Sequence, residues 1–146
     1  MPLTLRGTLA PAAAVALTLT ALTGTARATP PGPGVTAVVL ARRTVDGTDY
    51  ILREITVPAG QSTGWHYHDG PLYGYVKQGT LSHFDATCAG DGVYRAGSAL
   101  TEPSGPDHVH LGSNLGSTPL VLDVLYVLPH GAPFSEDAPN PGCGFP

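Results

Sequence analysis

The sequence predicts an all-β domain, a sandwich or closed barrel of short strands. Three observations carry this. Turn formers recur at short intervals in a 146-residue chain with 19 Gly and 15 Pro. The segments between them are β-branched or alternate apolar with polar. Beyond residue 28 no stretch shows the apolar spacing of an amphipathic helix.

Residues 35–42 (VTAVVLAR) are a β-branched run, and Asp46 with Gly47 marks the turn after it. Residues 50–57 (YILREITV) alternate, which puts Ile51, Arg53, Ile55 and Val57 on one face. Pro58, Ala59 and Gly60 end that strand. Residues 64–68 are short and extended, and Gly70 with Pro71 breaks the chain again. Residues 73–77 and 80–85 flank Gln78 and Gly79, a hairpin turn. Residues 92–95, 99–102 and 109–111 are further short strands, separated by Ala96 with Gly97 and by Pro103, Ser104, Gly105 and Pro106. Residues 112–118 form a loop before the longest apolar strand, 119–128 (PLVLDVLYVL). The result is eight or so strands with turns between them.

The N-terminal stretch has the form of an export signal. Arg6 is the only charge in the first 26 residues, an apolar run fills residues 9–22, and Ala26, Arg27 and Ala28 make an A-x-A cleavage pattern. That run falls short of the roughly 20 residues of a membrane span. The expected organisation is a signal peptide at 1–28, a flexible lead at 29–34, a barrel at 35–130 and a Pro/Gly-rich tail at 131–146. The mature protein is expected to be secreted and extracellular, with no membrane span after cleavage. Two cysteines in an exported chain suggest one disulfide, Cys88 to Cys143, which would clamp the tail to the body. Net charge is −4 with seven basic residues, which excludes a phosphate-binding stripe and with it a nucleic-acid partner.

Six histidines carry the chemistry, and His66 with His68 forms H-x-H. Alternate residues of a strand share a face, so both imidazoles can converge on one ion. Composition alone yields about 0.24 such pairs, so one is weak; His108 with His110 repeats the arrangement. Gly60, then five residues, then His66, Tyr67 and His68, and later Gly79, resemble the first motif of the cupins. Gly97, then five residues, then Pro103, Gly105 and His108 resemble the second. The resemblance spans residues 60 to about 114. It implies a jelly-roll β-barrel, the double-stranded β-helix. It also implies a divalent metal ion (Fe, Zn, Mn, Ni or Cu) held by His66, His68 and His108. Two positions depart from the pattern. Its glutamate falls on Leu72 or Tyr73, and its late asparagine falls on Gly112, with Asn114 two residues on as a substitute. The site is thus similar to the three-histidine variants of the group.

Three neutral imidazoles suit Zn, Fe, Cu or Ni and leave positions open for water or substrate. Without a carboxylate the site keeps more positive charge, which favours an anionic ligand or bound hydroxide. His110 is a further candidate, as ligand, proton shuttle or core residue. Glu102, held extended by Pro103, is another: a fourth ligand, an orienter of an imidazole, or a solvent-facing acid. Trp65, Tyr67, Tyr73 and Tyr75 are expected to line barrel walls, and His83 and His130 to lie on the surface or in loops. Arg53, on an otherwise apolar face, calls for a partner. Three functions compete: a metal-dependent enzyme acting on a small polar or anionic molecule, a non-catalytic cupin that binds or senses a small ligand without metal, and a purely structural secreted barrel with neither metal nor cavity ligand. Whether the protein is an enzyme stays open at this point. A homodimer is compatible with either.

Overall fold

Alternation in the last long strand organises the core. The computed structural model describes residues 29–145; the expected signal peptide, 1–28, lies outside them. In β9 (Leu120–Pro129) every second side chain, Leu120, Leu122, Val124, Tyr126 and Leu128, is buried. Each such apolar side chain stabilises the fold by about 1.5–3 kcal/mol. β9 pairs antiparallel with β2 (Thr48–Val57) from Thr48↔Pro129 to Val57↔Leu120. β1 (Thr36–Val45) flanks β2 as the edge, and β4 (Leu72–Gln78) and β7 (Ala99–Glu102) follow β9 on its other side. A second five-stranded sheet runs in the order β10 (Glu136–Asp137), β3 (His66–Tyr67), β8 (His110–Ser113), β5 (Thr80–Asp85), β6 (Gly90–Arg95). Leu81 of β5 and Tyr94 of β6 pack into the core built on the first sheet, which closes the two sheets over one apolar interior. Gly79, at φ 79°, makes the β4–β5 turn, and a Cβ there would lie 2.8 Å from the Pro119 carbonyl oxygen.

The expected strands are present, with extensions. β1 continues to Val45, and a tenth strand, β10, lies in the tail, where Glu136 pairs with Tyr67 and Asp137 with His66. The tail covers the outer face of the second sheet. Trp65, fully buried, packs there with Leu111, Ala138, Phe84 and Phe145. The Cys88–Cys143 disulfide ties this tail to the β5–β6 turn. Residues 29–34 are also held, against the expectation of a flexible lead. The Thr29 amide donates to the Ala138 carbonyl, Trp65 donates to the Thr29 hydroxyl, and the Gly32 amide donates to Ser62. Gly64 permits this close approach: a Cβ there would sit 2.2 Å from the Thr29 carbonyl oxygen.

The aromatic residues are redistributed. Tyr73 and Tyr75 are half exposed on the outer face of β4, and Trp65 belongs to the cluster under the tail, not to the barrel wall. The reason is parity: Leu72, Gly74 and Val76 take the inward positions of β4. Among the described residues no helix is long and apolar enough to cross a membrane.

Candidate metal centre

The second sheet supplies imidazoles and the first supplies a carboxylate. His66 on β3 stands directly opposite His110 on β8. His68 follows β3, and Glu102 ends β7. The ligand atoms of His66, His68, His110 and Glu102 all lie within 4.8 Å of one another. Ring centroids of the three histidines are 4.5–5.2 Å apart. Glu102 Oε2 is 3.1 Å from His68 Nε2 and 3.2 Å from His110 Nε2.

Each imidazole is oriented by its own backbone contact. Nδ1 of His66 bonds to the Gly64 carbonyl at 2.8 Å, that of His68 to Phe134 at 2.8 Å, and that of His110 to His108 at 2.7 Å. A carbonyl only accepts, so each Nδ1 carries the proton and donates it. Each Nε2 of a neutral ring is then left with a bare lone pair. The Nε2 atoms of His68 and His110 are buried without a hydrogen-bond partner. Lone pairs facing a carboxylate repel unless positive charge lies between them, supplied by protons or by a metal cation. The donor set, three nitrogens and one carboxylate oxygen, is one that first-row divalent ions accept. The residues fit a metal.

Burial and mutual contact shift two of these groups, and at His66 the shift favours the neutral imidazole. Burial, reinforced by the neighbouring His110 and His68, pushes the His66 imidazole down to about 3. Burial pushes Glu102 up, but contacts with His110, His68 and His83 outweigh it and hold the carboxyl well below its usual range. The His66 shift gives a measurable consequence in the metal-free protein. Unfolded imidazole titrates near 6.5. Between that pH and about 3 the unfolded chain binds a proton that folded His66 does not, so stability falls as pH drops through this window. The stability difference between wild type and His66→Asn isolates the residue. Wild-type stability minus that of the variant should fall as pH drops from 6.5, and a difference flat across the window would contradict a buried neutral His66.

Three expectations are corrected. His108 is exposed on a 3-10 turn, Pro106–His108, and only its carbonyl serves the site, by holding His110. The turn consumes the residues after Gly105, so the inward position falls two residues later, on His110. His83 is buried, not superficial: its Nδ1 contacts Asp91 at 2.6 Å and its Nε2 lies 3.5 Å from Glu102 Oε1. Burial lowers its pKa, but contacts with Glu102 and Asp91 more than reverse the effect, so the imidazole is raised above its usual value and lies behind Glu102. Asn114 is buried away from the cluster, where its amide donates to the Val57 and Thr118 carbonyls. His130 is a loop residue, as expected, and it pairs with Asp49.

Glu102 also explains the missing acid of the first motif. It pairs directly across β4–β7 with Leu72. Residues directly opposite in antiparallel strands share a face, with Cβ atoms about 5 Å apart. The carboxylate absent from position 72 is therefore supplied by the neighbouring strand. A sequence signal for His110 existed: Asn114 and His110 are both displaced by two residues from the pattern, as one two-residue insertion after Gly105 requires. No sequence signal ties Glu102 to Leu72, since only strand pairing brings them together.

No protein-family model matches this chain, and no curated protein does. Solved structures do. An uncharacterized conserved protein with a double-stranded β-helix domain from Klebsiella pneumoniae aligns at TM-score 0.58 and 19% identity, over 74% of this chain and 88% of that one. A cupin domain from Bordetella pertussis aligns at 0.53 and 22%, over 65% and 94%. The polyketide cyclase RemF from Streptomyces resistomycificus aligns at 0.52 and 18%, over 74% and 84%. What a likeness at such identities establishes is architecture, and by that measure the described chain is a cupin-fold protein, a double-stranded β-helix.

Proposed function

We propose that this is an exported protein whose barrel holds one divalent metal ion at His66, His68, His110 and Glu102, and that the centre acts on a small anionic molecule. The observation that carries the reading is the set of three imidazoles, each fixed through Nδ1 by a backbone carbonyl, with Nε2 directed toward one buried carboxylate. Residues 1–28 are read as the leader removed on export, 35–130 as the barrel, and 131–146 as a tail tethered to it. The disulfide suits an oxidising compartment.

A bound ion would act as a Lewis acid on a substrate oxygen or on water. The chain's own residues do the rest. His83 and Asp91 hold Glu102 in place. Leu72, Leu81, Leu122 and Val124 line an apolar space beside His66 and His68, which keeps bulk water from that side. Tyr126, pushed up to about 12 by burial, stays protonated and remains a hydrogen-bond donor at neutral pH. With one carboxylate among the ligands, a divalent ion leaves a single net positive charge, which favours an anion.

Elemental analysis of purified mature protein, followed by reconstitution with Zn, Fe, Mn, Ni and Cu, tests the reading. One ion per chain is expected, and His66→Ala with His68→Ala should abolish binding while the barrel stays folded. Full metal content in that double variant would refute the assignment. A wild type that stays metal-free after reconstitution would favour the non-catalytic ligand-binding reading.

A further inference from the structure

A cavity of about 400 Å³ adjoins His66 and His68 and shares Ile55, Thr63 and Tyr126 with the apolar space described above. Arg53, Tyr126, Phe134 and Ser135 line it together with those two histidines. We propose that Arg53 anchors the carboxylate of the substrate in this cavity, which makes the ligand a small carboxylic acid bearing a further oxygen that can reach the metal centre. The inference rests on the metal reading above, because it names the substrate class of that same site.

Arg53 is a permanent cation facing the barrel interior from β2. Its cross-strand neighbours are Val39 on β1 and Val124 on β9, both apolar. The acids adjacent to these positions turn the other way: Glu54 and Asp123 pair with Lys77 on the outer face. Among the described residues no carboxylate lies within ion-pair distance of Arg53, and its buried Nε has no hydrogen-bond partner. A guanidinium donates in its own plane, and a donor left unpaired there suits an incoming acceptor.

That plane is fixed by aromatic contact. The guanidinium carbon of Arg53 lies 3.8 Å from the Phe134 ring centroid and 5.5 Å from that of Tyr126. Phe134 packs against the guanidinium and Tyr126 shares a hydrogen bond with it, which leaves the remaining N–H donors for a carboxylate, whose two oxygens match the guanidinium fork. Phe134 also accepts the Nδ1 proton of His68 through its carbonyl. One tail residue thus sets both the anion anchor and a metal ligand, which fixes the spacing between them. The substrate oxygen that meets the centre must then lie close to the carboxylate.

Calorimetric titration with pyruvate, and with its neutral ester methyl pyruvate, tests the proposal on metal-free and Zn-loaded protein. Wild type should bind pyruvate in preference to the ester. Arg53→Met should weaken pyruvate binding by about tenfold or more, with no change for the ester. Arg53→Lys should fall between them, since it keeps the charge and loses the fork. Equal pyruvate affinity in wild type and both variants would overturn the proposal, as would a wild type that binds no pyruvate at millimolar concentration. Should Arg53→Met fail to fold, Arg53→Lys against wild type decides. Failure of the metal reading looks different: Zn would not load, while pyruvate binding to the metal-free protein would still depend on Arg53.

Discussion

His110→Ala should abolish tight binding of divalent metal, while His108→Ala should leave affinity within about twofold of wild type. Loss of a group that only orients a ligand costs about 10–100-fold, and loss of a ligand costs more. His110 presents a buried Nε2 to Glu102, whereas the His108 side chain is exposed and only its carbonyl meets the site. Alanine at 108 retains that carbonyl. Competition against a chromophoric chelator measures both variants. The opposite order would return the third ligand to His108 and place the 3-10 turn wrongly. Glu102→Gln belongs in the same series and should weaken binding by at least about 100-fold, since an amide oxygen brings no charge.

Breaking the Cys88–Cys143 bridge, by Cys88→Ser with Cys143→Ser, should destabilise the protein by up to about 4 kcal/mol. The sequence separation of 55 makes the closed loop long, and chain entropy in the unfolded state is the main source of the effect. A second consequence is specific to this fold. The freed tail carries β10, which pairs with β3, and Phe134, whose carbonyl orients His68. Metal affinity should therefore fall along with stability, by about 10-fold or more. Denaturant titration and metal competition on the same protein give both numbers. Unchanged metal affinity alongside reduced stability would show that Phe134 holds its place without the disulfide.

Much of the site could be read from residue pattern, because the pattern is local. His66 and His68 are two residues apart around one short strand, so their convergence follows from the period of the backbone. Cys88 and Cys143 could be paired because no other cysteine is present. His110 was legible in principle, through its spacing to Asn114, but the Gly105-to-His108 spacing pointed two residues earlier. Glu102 and His83 were not placed by any local rule. One was an open candidate and the other was expected at the surface, and both reach the cluster through the pairing of strands within and between the two sheets.

The sequence by itself determined the all-β class, the turns, the inward face of Ile51, Arg53, Ile55 and Val57, and the H-x-H core of the site. These follow from strand parity and turn chemistry, which act over a few residues. Only the tertiary structure decided the rest. It put Glu102 opposite Leu72, inserted a turn that passes the third position from His108 to His110, laid the tail against β3, and left Arg53 facing a cavity without a carboxylate. Those outcomes depend on which strands become neighbours and on how a loop spends its residues. Both are settled by packing two sheets over one core, and neither is written in the spacing of any single segment.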